Sequence, residues 1–213
     1  MKCHLCEGNT TAFVDEKHAM HYYHCQVCDV IFKDPASYQS IEAQKSRYDL
    51  HENDEESEGY RAYFQRFLDF VLPLLQEEVS CALDFGCGRS QLLASMLQAQ
   101  HIDCDAYDPI YHPEGYDREK TYDLIVSTEV FEHLHDPKAV LHRLLGSLKK
   151  GGYIAIQTAF HYSDKEAFLQ WYYPKDPTHI VFFSPKTFQH LCGTFGCEYV
   201  ADNGKNMVLL KKV

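Results

Sequence analysis

Ala82-Leu83-Asp84-Phe85-Gly86-Cys87-Gly88-Arg89-Ser90 is the stretch on which the reading of the fold turns. Cys81 to Phe85 is a short apolar run that holds one acid and closes on glycine, the pattern of a strand buried in a parallel sheet. Gly86 and Gly88 can take backbone angles closed to other residues, and they let a ligand approach the main chain. From Ser90 to Gln100, Leu92, Leu93, Met96 and Leu97 recur at helical spacing. Strand, turn and helix in that order aim free amides and the positive end of a helix dipole at a negative group such as a carboxylate. A tight turn with no ligand reads the same way, so the flanking segments must decide.

Working outward, Ile102 to Tyr107 forms a second strand candidate ending in Asp108. Asp108 lies about twenty residues past the turn, where nucleotide-binding α/β folds place an acid for ribose hydroxyls. The segment from Asp108 to Tyr122 is too short for a strand-helix-strand crossover. Tyr122 to Ser127 is the next strand. Asp136-Pro137 then starts a helix whose stripe is Val140, Leu141, Leu144, Leu145 and Leu148, and Lys149-Lys150-Gly151-Gly152 ends it. Tyr153 to Thr158 alternates as a strand, and Ser184-Pro185 opens a helix to Phe195. Cys197 to Ala201 and Met207 to Leu210, split by Asp202-Asn203-Gly204-Lys205-Asn206, predict a closing hairpin. Ahead of the glycine turn, Gly59 to Glu78 predicts a helix kinked at Pro73, with Tyr63, Phe64 and Phe67 as core. The expected class is α/β: a doubly wound, mostly parallel sheet with a C-terminal antiparallel hairpin.

The N-terminus is of another kind. Cys3-His4-Leu5-Cys6 and Cys25-Gln26-Val27-Cys28 are two C-x-x-C pairs separated by a hairpin-length stretch. Cys3, Cys6, Cys25 and Cys28 supply four thiolates for a tetrahedral structural zinc, with no position open for catalysis. Roughly 35 residues cannot build a sufficient core, so the metal is expected to hold this segment together. The expected domains are a zinc ribbon over 1–36 and a larger domain over 37–213. Asn53 to Ser57 reads as a solvated linker, and Tyr48 to Asn53 stands where a lid would.

The chain has 213 residues and a net charge of -11, which argues against strong non-specific nucleic-acid binding. No apolar run approaches the roughly 20 residues that cross a bilayer, and Met1 to Cys6 does not resemble a signal peptide. Of nine cysteines, four fall in the two pairs and five are scattered as small hydrophobes, which predicts a reducing, cytoplasmic setting.

Asp84-Phe85-Gly86-Cys87-Gly88, Tyr107-Asp108-Pro109, and the run Tyr122 to Leu134 with Glu129, Glu132 and His133 together resemble the class I S-adenosylmethionine (SAM)-dependent methyltransferases. The resemblance departs at Arg89-Ser90, where that family often has a third glycine. It implies a Rossmann-like sheet with SAM held by Asp84, Gly86, Gly88, Asp108, Pro109 and Glu129, and with Pro109 to His112 running over the adenine. Trp171 to Ser184, containing Asp176-Pro177-Thr178-His179, resembles a segment of a bacterial branch that often carries an N-terminal zinc ribbon.

Three readings remain for Glu129, Glu132 and His133. They are a local cap and packed histidine, a base facing the methyl donor, or a cation site of the kind some quinone-ring O-methyltransferases carry. His133 and His179 are candidate bases approaching the acceptor from opposite sides, with Tyr172 closing the pocket; packing of the aromatics on the core is the alternative. The expected activity is methyl transfer from SAM to an acceptor that is a small molecule or a protein side chain. An RNA methyltransferase gripping RNA through the ribbon, or a non-catalytic interaction protein, would read similarly.

Overall fold

The computed structural model describes residues 1–39, 58–117, 119–162 and 164–213, so the lid and linker expected between Tyr48 and Ser57 lie outside the described residues. Strands β1 (Thr10–Asp15), β2 (Met20–Cys25) and β3 (Ile31–Lys33) open the chain. Helix α1 (Glu58–Val71) precedes β4 (Cys81–Phe85), α2 (Leu92–Gln98), β5 (Asp103–Tyr107) and β6 (Tyr122–Thr128). Next come α3 (Pro137–Gly146), β7 (Leu148–Gln157), α4 (Lys165–Gln170), β8 (Val181–Phe182) and α5 (Pro185–Phe195). The hairpin β9 (Cys197–Asp202) and β10 (Met207–Lys212) closes the fold.

Six strands form one sheet in the order β5-β4-β6-β7-β10-β9. The first four run parallel, and β10 lies antiparallel to both β7 and β9. This is the expected doubly wound α/β sheet with its C-terminal hairpin. Side chains alternate across it, as a pleated strand requires. Ala82, Leu124, Val126, Tyr153, Ala155 and Leu209 pack on one face with Phe64, Phe67 and Leu68 of α1 and Leu92, Leu93 and Leu97 of α2. Leu83, Phe85, Ile125, Ile154, Ile156 and Leu210 pack on the other with Leu141 and Leu144 of α3 and Phe188 and Leu191 of α5. Burying both faces is what makes the strand sequences nearly continuous in apolar residues.

Three local expectations are corrected. The helix expected to kink at Pro73 instead ends at Val71, and Leu72–Leu74 is a 3-10 turn. Proline has no N–H and disfavours helical angles at the residue before it, so the α-helix stops there. The helix opened by Asp136 ends at Gly146, and Leu148 begins β7, where it pairs with Tyr122. The helix after the glycine turn begins only at Leu92, because Gln91 is left-handed, with φ 51°.

A second sheet has the order β1-β2-β3-β8. Its last strand comes from the larger domain: Ile31 pairs with Phe182 and Phe32 with Val181. Three polar links join the same surfaces. Ser184 Oγ donates to Asp29 Oδ2 over 2.7 Å, and His161 Nε2 lies 2.7 Å from the Asp29 carbonyl. Lys33 Nζ, fully buried, donates to the Asp176 carbonyl over 2.7 Å. Cys3, Leu5, Val30 and Phe32 belong to the same apolar cluster as Leu83 and Ile125 of the large sheet. The first sheet thus takes a strand from beyond residue 36, and residues on both sides of that position share one apolar cluster.

Candidate active site

The glycine turn closes back on its neighbouring strand. Gly86 and Cys87 both donate their amides to the Tyr107 carbonyl, over 2.7 and 3.0 Å, and Gly88 donates to Asp108 Oδ2 over 3.3 Å. These amides are therefore engaged within the protein, and the short α2 does not present them to an anion as the sequence suggested. The two glycines play different parts. Gly86 has φ 84°, and a Cβ there would stand 2.2 Å from Val130 Cγ2. Gly88 has φ 64°, and among the described residues no atom comes within 4 Å of its would-be Cβ, so its outer side is open toward them.

Asp108 ends β5 beside that open space. Its Oδ1 accepts from the amides of Ile110 and Tyr111 over 2.8 and 3.1 Å, which leaves Oδ2 toward Gly88. Pro109 is exposed at the corner of this loop, and His112 returns to bridge Asp108. Asp84 is buried near the strand end, and its Oδ1 has no hydrogen-bond partner among the described residues. Burial, joined by the charge of Asp108, pushes its carboxyl up to about 7.

A second polar group gathers at the carboxyl ends of β6 and β7, where α/β sheets place their ligands. Glu129 sits past β6 with φ 53°, and its amide donates to Gln157. Its carboxylate accepts from Tyr63 (2.8 Å to Oε1) and Tyr173 (3.0 Å to Oε2). Burial, then the neighbouring charge of Glu132, pushes Glu129 up to about 8. Phe131–His133 is a 3-10 turn, and Glu132 within it is fully buried. No hydrogen bond of proper geometry reaches either Glu132 oxygen, although Tyr173, Thr158 and Glu129 lie near enough to bias its titration. Ser127, Gln157 and Thr158 also bury side-chain polar atoms to which no described residue offers a hydrogen bond of proper geometry. Interior polar atoms are nearly always paired, so these groups are available to a water or a polar ligand.

The histidines do not face each other across a gap. Their rings pack edge to face with centroids 4.7 Å apart, and His179 also lies over the Tyr173 ring at 4.1 Å. Burial, then the proximity of His133, holds His179 down to about 3. Tyr172, expected to close the pocket, is 72% exposed, whereas Tyr173 is 4% exposed and points inward. The pair occupies the start of a single 3-10 turn, so the two rings leave it in different directions. A groove of about 410 Å³ lies at the other end of the central strands, beside Asp123 at the start of β6 and Lys149 and Tyr153 of β7, away from the carboxyl ends that carry this chemistry.

A family profile described as a methyltransferase domain matches residues 29–202, most of the chain. The chain belongs to this methyltransferase domain family. Among solved structures, an O-methyltransferase family protein from Burkholderia thailandensis is similar at 10% identity and TM-score 0.52, covering 79% of this chain and 62% of that one. An O-methyltransferase family 2 protein from Planctomyces limnophilus, solved in complex with apigenin, is similar at 17% identity and TM-score 0.50, covering 70% and 57%. Both are likenesses of fold, and the chain spans about three fifths of the length of these two structures. No curated protein is similar enough to count as a relative.

The methyltransferase profile begins at Asp29, inside the second cysteine knuckle. The two knuckles are built alike. Glu7 and Asp29, each following the second cysteine of a pair, are left-handed at φ 59° and 67°, and each amide returns to the carbonyl of the first cysteine. The Sγ atoms of Cys3 and Cys28 lie 3.6 Å apart, and those of Cys6 and Cys25 lie 3.4 Å apart. Tetrahedral zinc with bonds of about 2.3 Å sets sulfurs about 3.8 Å apart, so the four thiols fit the ion.

Sequence reasoning missed Tyr63, Tyr173 and Lys33. Tyr63 was read as core with the other aromatics of its helix, and only its hydroxyl distinguishes it from Phe64 and Phe67. Lys33 carries a signal that could have been used: a lysine beside Phe32 in a ribbon strand has to find an acceptor if it is buried.

Proposed function

We propose that this chain is a SAM-dependent methyltransferase that acts on a small molecule or a protein side chain. The observation that carries the reading is Asp108 Oδ2 beside the open side of Gly88, within a chain of the methyltransferase domain family. Asp108 at the end of the second parallel strand suits the ribose hydroxyls, and Gly86 and Gly88 let the cofactor lie against the main chain. Asp84 lies buried two residues before Gly86, Pro109 follows Asp108 on its loop, and Glu129 follows β6. Bound SAM supplies an electrophilic methyl group on a sulfonium. Transfer is an in-line displacement, so positioning of the acceptor carries much of the rate. Glu129, Tyr173, His133 and His179 form the acceptor-side wall, with Tyr63 and Tyr173 fixing the Glu129 carboxylate.

Four thiolates hold a structural zinc in the ribbon. The net charge of -11 disfavours bulk nucleic acid as the acceptor, and nine free cysteines suit a reducing, cytoplasmic compartment. Calorimetry with SAM tests the cofactor site. Asp108→Asn keeps an acceptor for the Ile110 and Tyr111 amides and removes the charge, and affinity is expected to fall by about 1.5–3 kcal/mol. Methyl-release assays on acceptor pools then test turnover. Wild-type protein that binds no SAM would refute the reading.

A further inference from the structure

Three metal-ligating side chains converge from two separate segments. Glu132 and His133 come from the turn after β6, and His179 comes from the loop before β8. One donor atom from each lies within 4.8 Å of the other two. Both imidazoles are oriented by backbone carbonyls: His133 Nδ1 lies 3.0 Å from the Thr178 oxygen, and His179 Nδ1 lies 3.0 Å from the Tyr173 oxygen. A carbonyl only accepts, so Nδ1 carries the hydrogen and Nε2 carries the lone pair. Metal-binding histidines are held in this way, with the second ring nitrogen donating to the protein.

Glu132 supplies the independent observation. It is fully buried, no hydrogen bond of proper geometry reaches either of its oxygens from the described residues, and Oε1 lies 3.8 Å from His133 Nε2. That distance is too long for a hydrogen bond. It is close to the separation of about 3.4 Å between nitrogen and oxygen ligands of one tetrahedral ion. An interior carboxylate without a partner is costly, and a cation between it and two imidazoles offsets that cost.

We propose that Glu132, His133 and His179 form a second metal site, separate from the four thiolates, for a divalent first-row transition ion such as zinc or iron(II). Two imidazole donors suit these ions, whereas magnesium and calcium take oxygen ligands. The set differs from the linear Glu129, Glu132 and His133 grouping considered from sequence. The oxygens of Glu129 are occupied by Tyr63 and Tyr173, and His179 takes its place. Three protein donors leave at least one position for a ligand from outside the chain, as in open metal sites. The site stands independently of the transfer reaction, because its test reads metal and not turnover.

The full chain, purified without chelator and titrated with zinc, is expected to hold about two equivalents, one in the ribbon and one here. His179→Ala and Glu132→Gln are expected to hold about one, and Glu129→Gln about two. Cobalt(II) loading separates the sites: thiolate-to-metal charge transfer reports the ribbon, and a cobalt spectrum without thiolate character reports the triad. Circular dichroism checks folding, and His179→Ala, which removes a partly exposed side chain, serves if Glu132→Gln does not fold. Wild type that saturates at one thiolate-bound equivalent would overturn the proposal. So would His179→Ala that still binds the second.

Discussion

Gly86 and Gly88 look interchangeable in the sequence, yet they are constrained by different things. Gly86→Ala forces a Cβ toward the β-branched Val130 at a left-handed backbone, so both packing and conformation oppose it. It is expected to lower unfolding free energy by about 2 kcal/mol or more, read by urea denaturation. Gly88→Ala meets no described residue and is expected to cost only the left-handed strain, about 1 kcal/mol. Its main effect is expected in SAM affinity, because the added methyl points into open space beside Asp108. A Gly88→Ala protein that folds and binds SAM as tightly as wild type would move the cofactor away from this turn. Both glycines were legible as a turn, since backbone freedom is a property of the residue itself. Which of them abuts Val130 was not legible, because that contact depends on how the loop after β6 folds back.

At the scale of elements, the ends of helices were readable where a side chain caps them. Asp136 accepts from the Ala139 amide, and Ser184 forms a reciprocal capping box with Thr187. Strand β8, two residues long, was not readable, because it exists only by pairing with β3. Lys33 of β3 ties that junction to the loop carrying His179. Burial holds its ammonium down to about 8, below the usual 10.5, against an opposing pull from Asp176. Below pH 8 the lysine is charged in both folded and unfolded states, and burying that charge costs stability. Between about pH 8 and 10.5 the folded lysine is neutral while the unfolded one still binds a proton, so stability gains from this residue as pH rises. Lys33→Met is expected to lack this gain. Urea midpoints of the two proteins across that window check it, and parallel curves would show that Lys33 titrates normally.

For the whole molecule, the N-terminal strands pair with β8 and share an apolar cluster with the large sheet. Loss of the proposed four-thiolate metal site, by Cys25→Ser, is therefore expected to loosen more than residues 1–39. Hydrogen exchange should accelerate at Val181 and Phe182 and across residues 173–179, and Tm should fall. Exchange confined to residues 1–39 would show that the ribbon is a separate unit. By itself the sequence determined the alternation of strands and helices, the glycine turn, Asp108 at a strand end and the paired cysteines. Each of these follows from local rules: side-chain periodicity, backbone freedom, capping and ligand spacing. Only the tertiary structure decided that Tyr173 and not Tyr172 faces inward, that Tyr63 holds Glu129, and that His179 joins Glu132 and His133. It also decided that Lys33 reaches across 143 residues of chain to Asp176. Such contacts depend on how two packed surfaces meet, and no periodicity within either segment encodes the distance between them.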